Sequence, residues 1–236
     1  MKKLMLLILI LVLISACASS EIKSGEKMNI GNISLDWLGH STFKIKSGND
    51  IIYTDPFILG SAEEKATLIL ITHPHYDHCD EKKLAQIADE STLILTVPDC
   101  QSKLSSLNIK YMKLVKPGDK LKINSVELEA VPAYNTNKKF HPKQNEWVGF
   151  IITIAGKRIY YAGDTDLIPE MKNIKNIDIA LLPIGGTFTM NYREAAQAAN
   201  LIKPKIVIPM HYGSINLPDH SEEFKELVNS SKVEIL

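Results

Sequence analysis

Four side chains able to hold a metal ion fall within six residues: His73, His75, Asp77 and His78, spaced His-x-His-x-Asp-His. Imidazole nitrogens and a carboxylate oxygen suit zinc and neighbouring first-row metals. Three histidines and an aspartate side by side favour no regular element and bury poorly, so the cluster has little structural use. The helical zinc-protease signature needs two histidines four apart with a glutamate between them, and this spacing differs. Residues 67–72, just before the cluster, form a short apolar, β-branched run that reads as a buried strand. Pro74 stops a ladder or a helix from continuing. The cluster therefore belongs in a loop at the carboxyl end of a strand, where α/β proteins place their sites.

Two later segments repeat that arrangement. Residues 158–161 read as a strand followed by Gly163 and Asp164, and residues 205–209 as a strand followed by His211 and Gly213. Taken singly, Asp164 is a turn residue and His211 an exposed histidine. Taken with the first cluster, they become two more donors, because a first-row metal site needs several that converge. The elements that must bring these ends together read as strands first, then mixed strand and helix. Strands are expected at 33–38, 42–45, 51–54, 67–72 and 92–97, with a helix at 81–89 and a short helix at 100–107. Hairpins are expected across Asn124-Ser125 and across Ala155-Gly156-Lys157. A strand at 179–182, an alanine-rich helix at 192–202 capped by Asn191, a helix at 221–228 and a last strand at 232–235 complete the order. The order of elements reads as one layout built twice, which implies one α/β domain with two sheets face to face and helices outside.

The chain opens with Lys2 and Lys3, then an apolar stretch from Leu4 to Ile14, then Ser15-Ala16-Cys17. The stretch is shorter than the ~20 residues of a membrane-spanning helix and has the proportions of a secretory signal. Its end resembles the lipobox of bacterial lipoproteins, whose cysteine is lipidated after cleavage. The expected division is therefore a signal peptide at 1–16, lipidated Cys17 with a flexible linker to residue 27, and one domain from 28 to 236. An uncleaved N-terminal anchor is the alternative reading. Either way the domain is expected outside the cytoplasm, tethered to a membrane. Lysine plus arginine and aspartate plus glutamate stand at 27 each. With no basic stripe, nucleic acid is not an expected partner. Three cysteines make no disulfide framework; Cys79 and Cys100 are left either to pair or to pack as small buried side chains.

His73-x-His75-x-Asp77-His78, Gly163-Asp164-Thr165 and Met210-His211-Tyr212 together resemble the metallo-β-lactamase fold superfamily. More narrowly, Asp55-Pro56, the 72–75 and 160–165 segments, Leu182-Pro-Ile-Gly185 and the 208–212 segment resemble its uncharacterised metal-dependent hydrolases. That branch is related to the ascorbate-6-phosphate lactonases and the N-acylphosphatidylethanolamine phospholipases D. The resemblance runs from about residue 28 to the C-terminus. It implies a four-layer αβ/βα sandwich and a centre of two divalent metal ions, zinc first, with manganese, iron or nickel also within reach of the donor set. By motif, His73 and His75 belong to the first ion, Asp77, His78 and His211 to the second, and Asp164 bridges them. Many relatives carry the remaining first-site histidine shortly after a Pro-Ala pair, where this chain has Asn135. His141, in the same connection, is the expected substitute, with His40 and His220 as competitors.

Such a centre implies hydrolysis of an ester-type bond (phosphodiester, lactone or acyl ester) by a hydroxide shared between the ions, with Asp77 orienting it. The expected substrate is a small or lipid-like ester. His40, Tyr134, Thr189 and Tyr212 are candidate substrate contacts, and Lys138, Lys139 and Lys143 candidate attractors of an anionic one. Redox diiron members of the superfamily usually carry glutamate where His75 stands. A nuclease would bring an inserted domain and a basic groove, and a β-lactamase a different third motif. The remaining alternative is a tethered protein that captures metal without turnover.

Overall fold

The computed structural model describes residues 26–107 and 109–236. The leader, Cys17 and the segment through residue 25 lie outside the described residues.

Seven strands form the first sheet, laid side by side in chain order: β1 (Glu26–Ile30), β2 (Ile33–Gly39), β3 (Thr42–Ser47), β4 (Asp50–Thr54), β5 (Leu68–Leu70), β6 (Leu93–Thr96) and β7 (Tyr111–Leu114). Seven more form the second: β8 (Lys120–Ile123), β9 (Val126–Pro132), β10 (Val148–Ile154), β11 (Lys157–Tyr161), β12 (Ile179–Pro183), β13 (Ile206–Met210) and β14 (Lys232–Val233). Both sheets follow one plan. The first four strands are joined antiparallel and the last three are added in parallel. Parallel neighbours need a crossover, and short helices supply several of them. Helix α1 (Glu81–Ile87) joins β5 to β6, α2 (Tyr192–Ile202) joins β12 to β13, and α3 (Ser221–Leu227) joins β13 to β14.

The caps explain where the helices begin. Asp80 accepts from the amides of Lys82 and Lys83, and Asn191 forms a capping box with Glu194 at the start of α2. Ala195, Ala196, Ala198 and Ala199 turn inward, so α2 can lie close on its sheet. Strand β2 alternates buried and half-buried residues, while β12 is buried throughout because it is covered on both faces. Between the sheets, Trp37 stacks on Tyr212 with ring centroids 5.1 Å apart, and Phe43 meets Tyr161 at 6.3 Å. The result is the four-layer sandwich expected from the sequence.

Some element bounds differ. The strand expected at 67–72 keeps ladder geometry only at Leu68–Leu70, since Thr72 is tied to Asp55 instead. The helix expected at 100–107 is a 3-10 turn at Pro98–Leu104, started by its proline. Strand β1 begins at Glu26, inside the segment read as linker, and pairs along its whole length with β2. Strand β7 was not expected at all: Tyr111, Lys113 and Leu114 are exposed at a sheet edge, so no apolar alternation marks them.

Candidate metal centre

Strand ends deliver the site. His73, His75, Asp77 and His78 follow β5, Asp164 follows β11, His211 follows β13, and His141 lies in the connection from β9 to β10. Two groups have donor atoms within 4.8 Å of one another, His73, His75 and His141 in one and His40, Asp77, His78 and His211 in the other, and a third, Asp55, His73 and His78, overlaps both. Asp164 stands between the groups. Its Oδ2 is 3.3 Å from His141 Nε2 and 3.1 Å from His211 Nε2, and its Oδ1 is 3.4 Å from His78 Nε2. In the first group, His73 Nε2 is 2.9 Å from His75 Nδ1 and 3.3 Å from His141 Nε2.

These spacings fit ions better than they fit the bare chain. Two ligands of one tetrahedral zinc, each at about 2.0–2.1 Å, are about 3.3 Å apart. Nε2 of His78, Nε2 of His211 and Oδ1 of Asp164 are buried without a hydrogen-bond partner, although they approach one another closely. Buried polar atoms left unpaired are costly and rare. Here they converge on common points, as a ligand set does.

Outer hydrogen bonds aim the imidazoles. Asp55, fully buried after β4, accepts from the Thr72 amide and hydroxyl at 2.8 and 2.7 Å and from the Tyr161 hydroxyl at 2.6 Å. It also accepts from His78 Nδ1 at 2.8 Å. Because the Thr72 hydroxyl donates to Asp55, it accepts from His73 Nδ1 at 2.9 Å. Asn135 Oδ1 accepts from His141 Nδ1 at 3.0 Å, and Asn135 Nδ2 donates to Asp166 Oδ1 at 3.1 Å and to the Phe188 carbonyl at 2.9 Å. In His73, His78 and His141 the outer nitrogen is thus the donor to the protein, and Nε2 faces inward. Asn135, at the position where the resemblance led to the expectation of a histidine, holds the ring of His141, the expected substitute.

Two glycines make room. A Cβ on Gly185 would lie 2.5 Å from the His211 carbonyl oxygen, and one on Gly163 would lie 3.1 Å from Thr72 Cγ2 at a backbone φ of +64°. His40, Asp55 and His211 themselves adopt left-handed backbone, at φ of 53°, 36° and 57°. Such conformations cost on the order of 1–3 kcal/mol each and gather at functional sites. The His211 amide donates to the His40 carbonyl at 2.9 Å, tying the two sheets together at the site.

Burial and mutual repulsion set the charges. Burial, then repulsion from His78, holds His73 well below the usual histidine range. Burial also lowers His141 to about 4, partly offset by Asp164. Burial opposes charge on His78 too, but Asp164 and Asp55 outweigh it and raise its pKa well above the ordinary value. Burial likewise opposes ionisation of Asp164, and His211 and His78 overcome it. The buried centre thus holds His73 and His141 neutral and His78 charged between Asp55 and the firmly ionised Asp164.

The candidate substrate contacts fare differently. His40 is buried with both nitrogens engaged, Nδ1 with Ser214 Oγ at 2.9 Å and Nε2 with Asp77 Oδ2 at 3.1 Å. It supports Asp77 and has no free edge for a substrate. Tyr134 is buried and its hydroxyl donates to Glu170 at 2.8 Å, Thr189 is buried with its hydroxyl on the Met190 carbonyl at 3.2 Å, and Tyr212 is buried in the core against Trp37. None of the three offers surface to a substrate. Lys138 and Lys143 are held by Asp166 and Glu170, which neutralises the expected attraction. His220 pairs with Glu223 at 3.0 Å on α3 and joins neither group. Cys79 and Cys100 are free, buried thiols, and neither belongs to the donor groups.

Two supports went unread in the sequence. Asp55 was only part of a motif, and Trp147 carried no signal. The Trp147 ring lies 5.1, 5.2 and 5.6 Å from those of His73, His75 and His141, and its Nε1 donates to Asp99 at 2.9 Å. It walls the whole first group.

A mixed two-sheet sandwich with histidines and carboxylates at its strand ends defines a metal-dependent hydrolase of the metallo-β-lactamase fold. Residues 34–211 match the Beta-lactamase superfamily domain. A UPF0173 metal-dependent hydrolase from Thermococcus onnurineus is 34% identical over 217 residues, covering 86% of this chain and 95% of that protein. Among solved structures, a metal-dependent hydrolase from Parabacteroides distasonis is similar at 34% identity and a TM-score of 0.79, with 91% of this chain and 98% of that one covered. A metallo hydrolase from Ignicoccus hospitalis is similar at 28% identity and a TM-score of 0.71, with 86% and 94% covered. The chain belongs to the UPF0173 metal-dependent hydrolases of the metallo-β-lactamase superfamily.

Proposed function

We propose that this enzyme hydrolyses an ester-type bond at a centre of two divalent ions, zinc first, held by His73, His75 and His141 on one side and by Asp77, His78 and His211 on the other. Asp164 is shared between them. The observation that carries this reading is the pair of donor groups meeting at Asp164, with inward atoms buried and unpaired. When bound, the ions supply a water whose pKa is lowered to about 7 and positive charge opposite the polarised oxygen of the substrate. Asp77, with 15% of its side chain exposed, is the most open carboxylate of the set and orients the attacking water. The ionised Asp77 can only accept, so His40 Nε2 donates to it and the Ser214 hydroxyl donates to His40 Nδ1. That chain fixes the carboxylate while the outer shell of Asp55, Thr72 and Asn135 fixes the imidazoles.

The donor chemistry also accommodates manganese, iron or nickel. Lys2, Lys3, the apolar stretch after them and Ser15-Ala16-Cys17 support a lipid anchor at Cys17 and a place outside the cytoplasm. A mass spectrum of the mature chain with Cys17 unmodified would overturn that part. For the reaction, purified protein is analysed for metal, reconstituted, and assayed on bis-aryl phosphate, lactone and β-lactam substrates. Turnover that is lost in His75→Ala and Asp77→Ala supports the reading. No turnover with any metal leaves a protein that captures metal only.

A further inference from the structure

The least covered edge of the centre is bordered by aromatic rings. His75 and Asp77 are partly exposed, whereas His73, His78, His141, Asp164 and His211 are buried. Tyr76, between the two open donors, is 59% exposed, more than any other large apolar side chain among the described residues. Its ring meets Phe57 edge-on at 5.8 Å, and Phe57 meets His40 at 5.7 Å. Beside the other group, Phe140 precedes His141 and meets Phe188 edge-on at 4.7 Å, while the Phe188 carbonyl accepts from His141 Nδ1 at 3.2 Å. Phe57, Phe140 and Phe188 are all half-buried. Each donor group thus has its own aromatic pair reaching solvent. Of the nearby lysines, Lys138 and Lys143 are held by carboxylates. Lys139, exposed beside Phe140, and Lys103, exposed and donating to the Pro74 carbonyl, have no acidic partner among the described residues and are the competing features.

We propose that these two aromatic pairs are the walls of the substrate site, and that the substrate is an uncharged ester with an apolar acyl or aryl group lying against them. This rests on the hydrolase reading above and narrows it. Rings held edge-to-face are already oriented, so a ligand meets them without a large ordering cost. Each methylene they cover strengthens binding by up to about fourfold.

The test uses metal-loaded protein and p-nitrophenyl esters from acetate to decanoate, with a bis-aryl phosphate and an anionic lactone beside them. Calorimetry with 2-alkanones, which are not hydrolysed, reads binding without turnover. The expected result is KM for the esters, and Kd for the ketones, falling about two- to fourfold per methylene over the first several carbons. Tyr76→Ala and Phe188→Ala flatten that slope and raise KM for the octanoate about tenfold, with the larger change in KM than in kcat. Phe57→Leu keeps bulk at the rim and gives a smaller loss in the same direction. Binding and KM that ignore chain length overturn the proposal, as does preference for the anionic substrate that disappears in Lys103→Gln or Lys139→Gln. Ketone binding with the expected slope but no ester turnover would remove the hydrolase reading and leave the apolar site standing.

Discussion

The two halves of the molecule follow one plan, yet their fourth strands end in carboxylates with opposite tasks. In the first half β4 leads to Asp55, and in the second β11 leads to Asp164; both are buried. Asp55 meets protein donors: the Thr72 amide and hydroxyl, the Tyr161 hydroxyl and His78 Nδ1. Asp164 meets imidazole Nε2 atoms and keeps Oδ1 unpaired. One carboxylate is saturated by the fold and aims a ligand. The other keeps an oxygen without a protein donor and faces the imidazoles. A related contrast appears between the second and third strands of each half, where one connection carries His40, whose Nε2 donates to Asp77, and the other His141, whose Nε2 faces His73 and Asp164. A repeated scaffold thus supplies equivalent positions, and the partners across the sheet decide what each one faces.

Breaking the inner carboxylate should have the largest effect. Asp164→Ala is expected to remove the oxygen common to both groups, lower bound metal towards zero by elemental analysis, and cut activity by on the order of 100-fold or more. Unchanged metal content would mean that Asp164 is no more central than Asp55. Breaking the outer carboxylate should cost stability as well. Asp55→Ala leaves His78 Nδ1 and the Thr72 amide without their acceptor in the interior, and about 3–5 kcal/mol is expected to be lost in denaturant unfolding. Tyr161→Phe removes the hydroxyl shared between Asp55 and the Ser41 carbonyl and should cost about 1–2 kcal/mol with metal content retained.

The readable part of this centre was local. His73 to His78 are contiguous, and Asp164 and His211 each follow an apolar strand, with Gly163 just before the one and Gly213 two residues after the other. His141 could be sought because it shares a connection with Asn135, though the reason it serves, the Asn135 hydrogen bond, is spatial. Asp55 and Trp147 act through partners that sequence does not place near them: Tyr161 is 106 positions from Asp55, and Asp99 is 48 from Trp147. The edge strands β1 and β7 were missed for a simpler reason. Each has one exposed flank, and an exposed strand needs no apolar pattern.

Smaller changes sharpen the comparison at the aiming residues. Asn135→Ala frees His141 from its acceptor and is expected to weaken binding of one ion by about 10–100-fold, measured by competition with a chelating dye. Tyr134→Phe, which touches only Glu170 and Lys143 at the surface, should change activity less than about twofold.

The most direct measurement is calorimetric titration of metal-free protein with zinc, on the native chain and on His141→Ala. Two ions per chain natively and a single ion in the variant, with folding unchanged by circular dichroism, is the result expected of two groups joined by Asp164. One ion per chain in both proteins would contradict it.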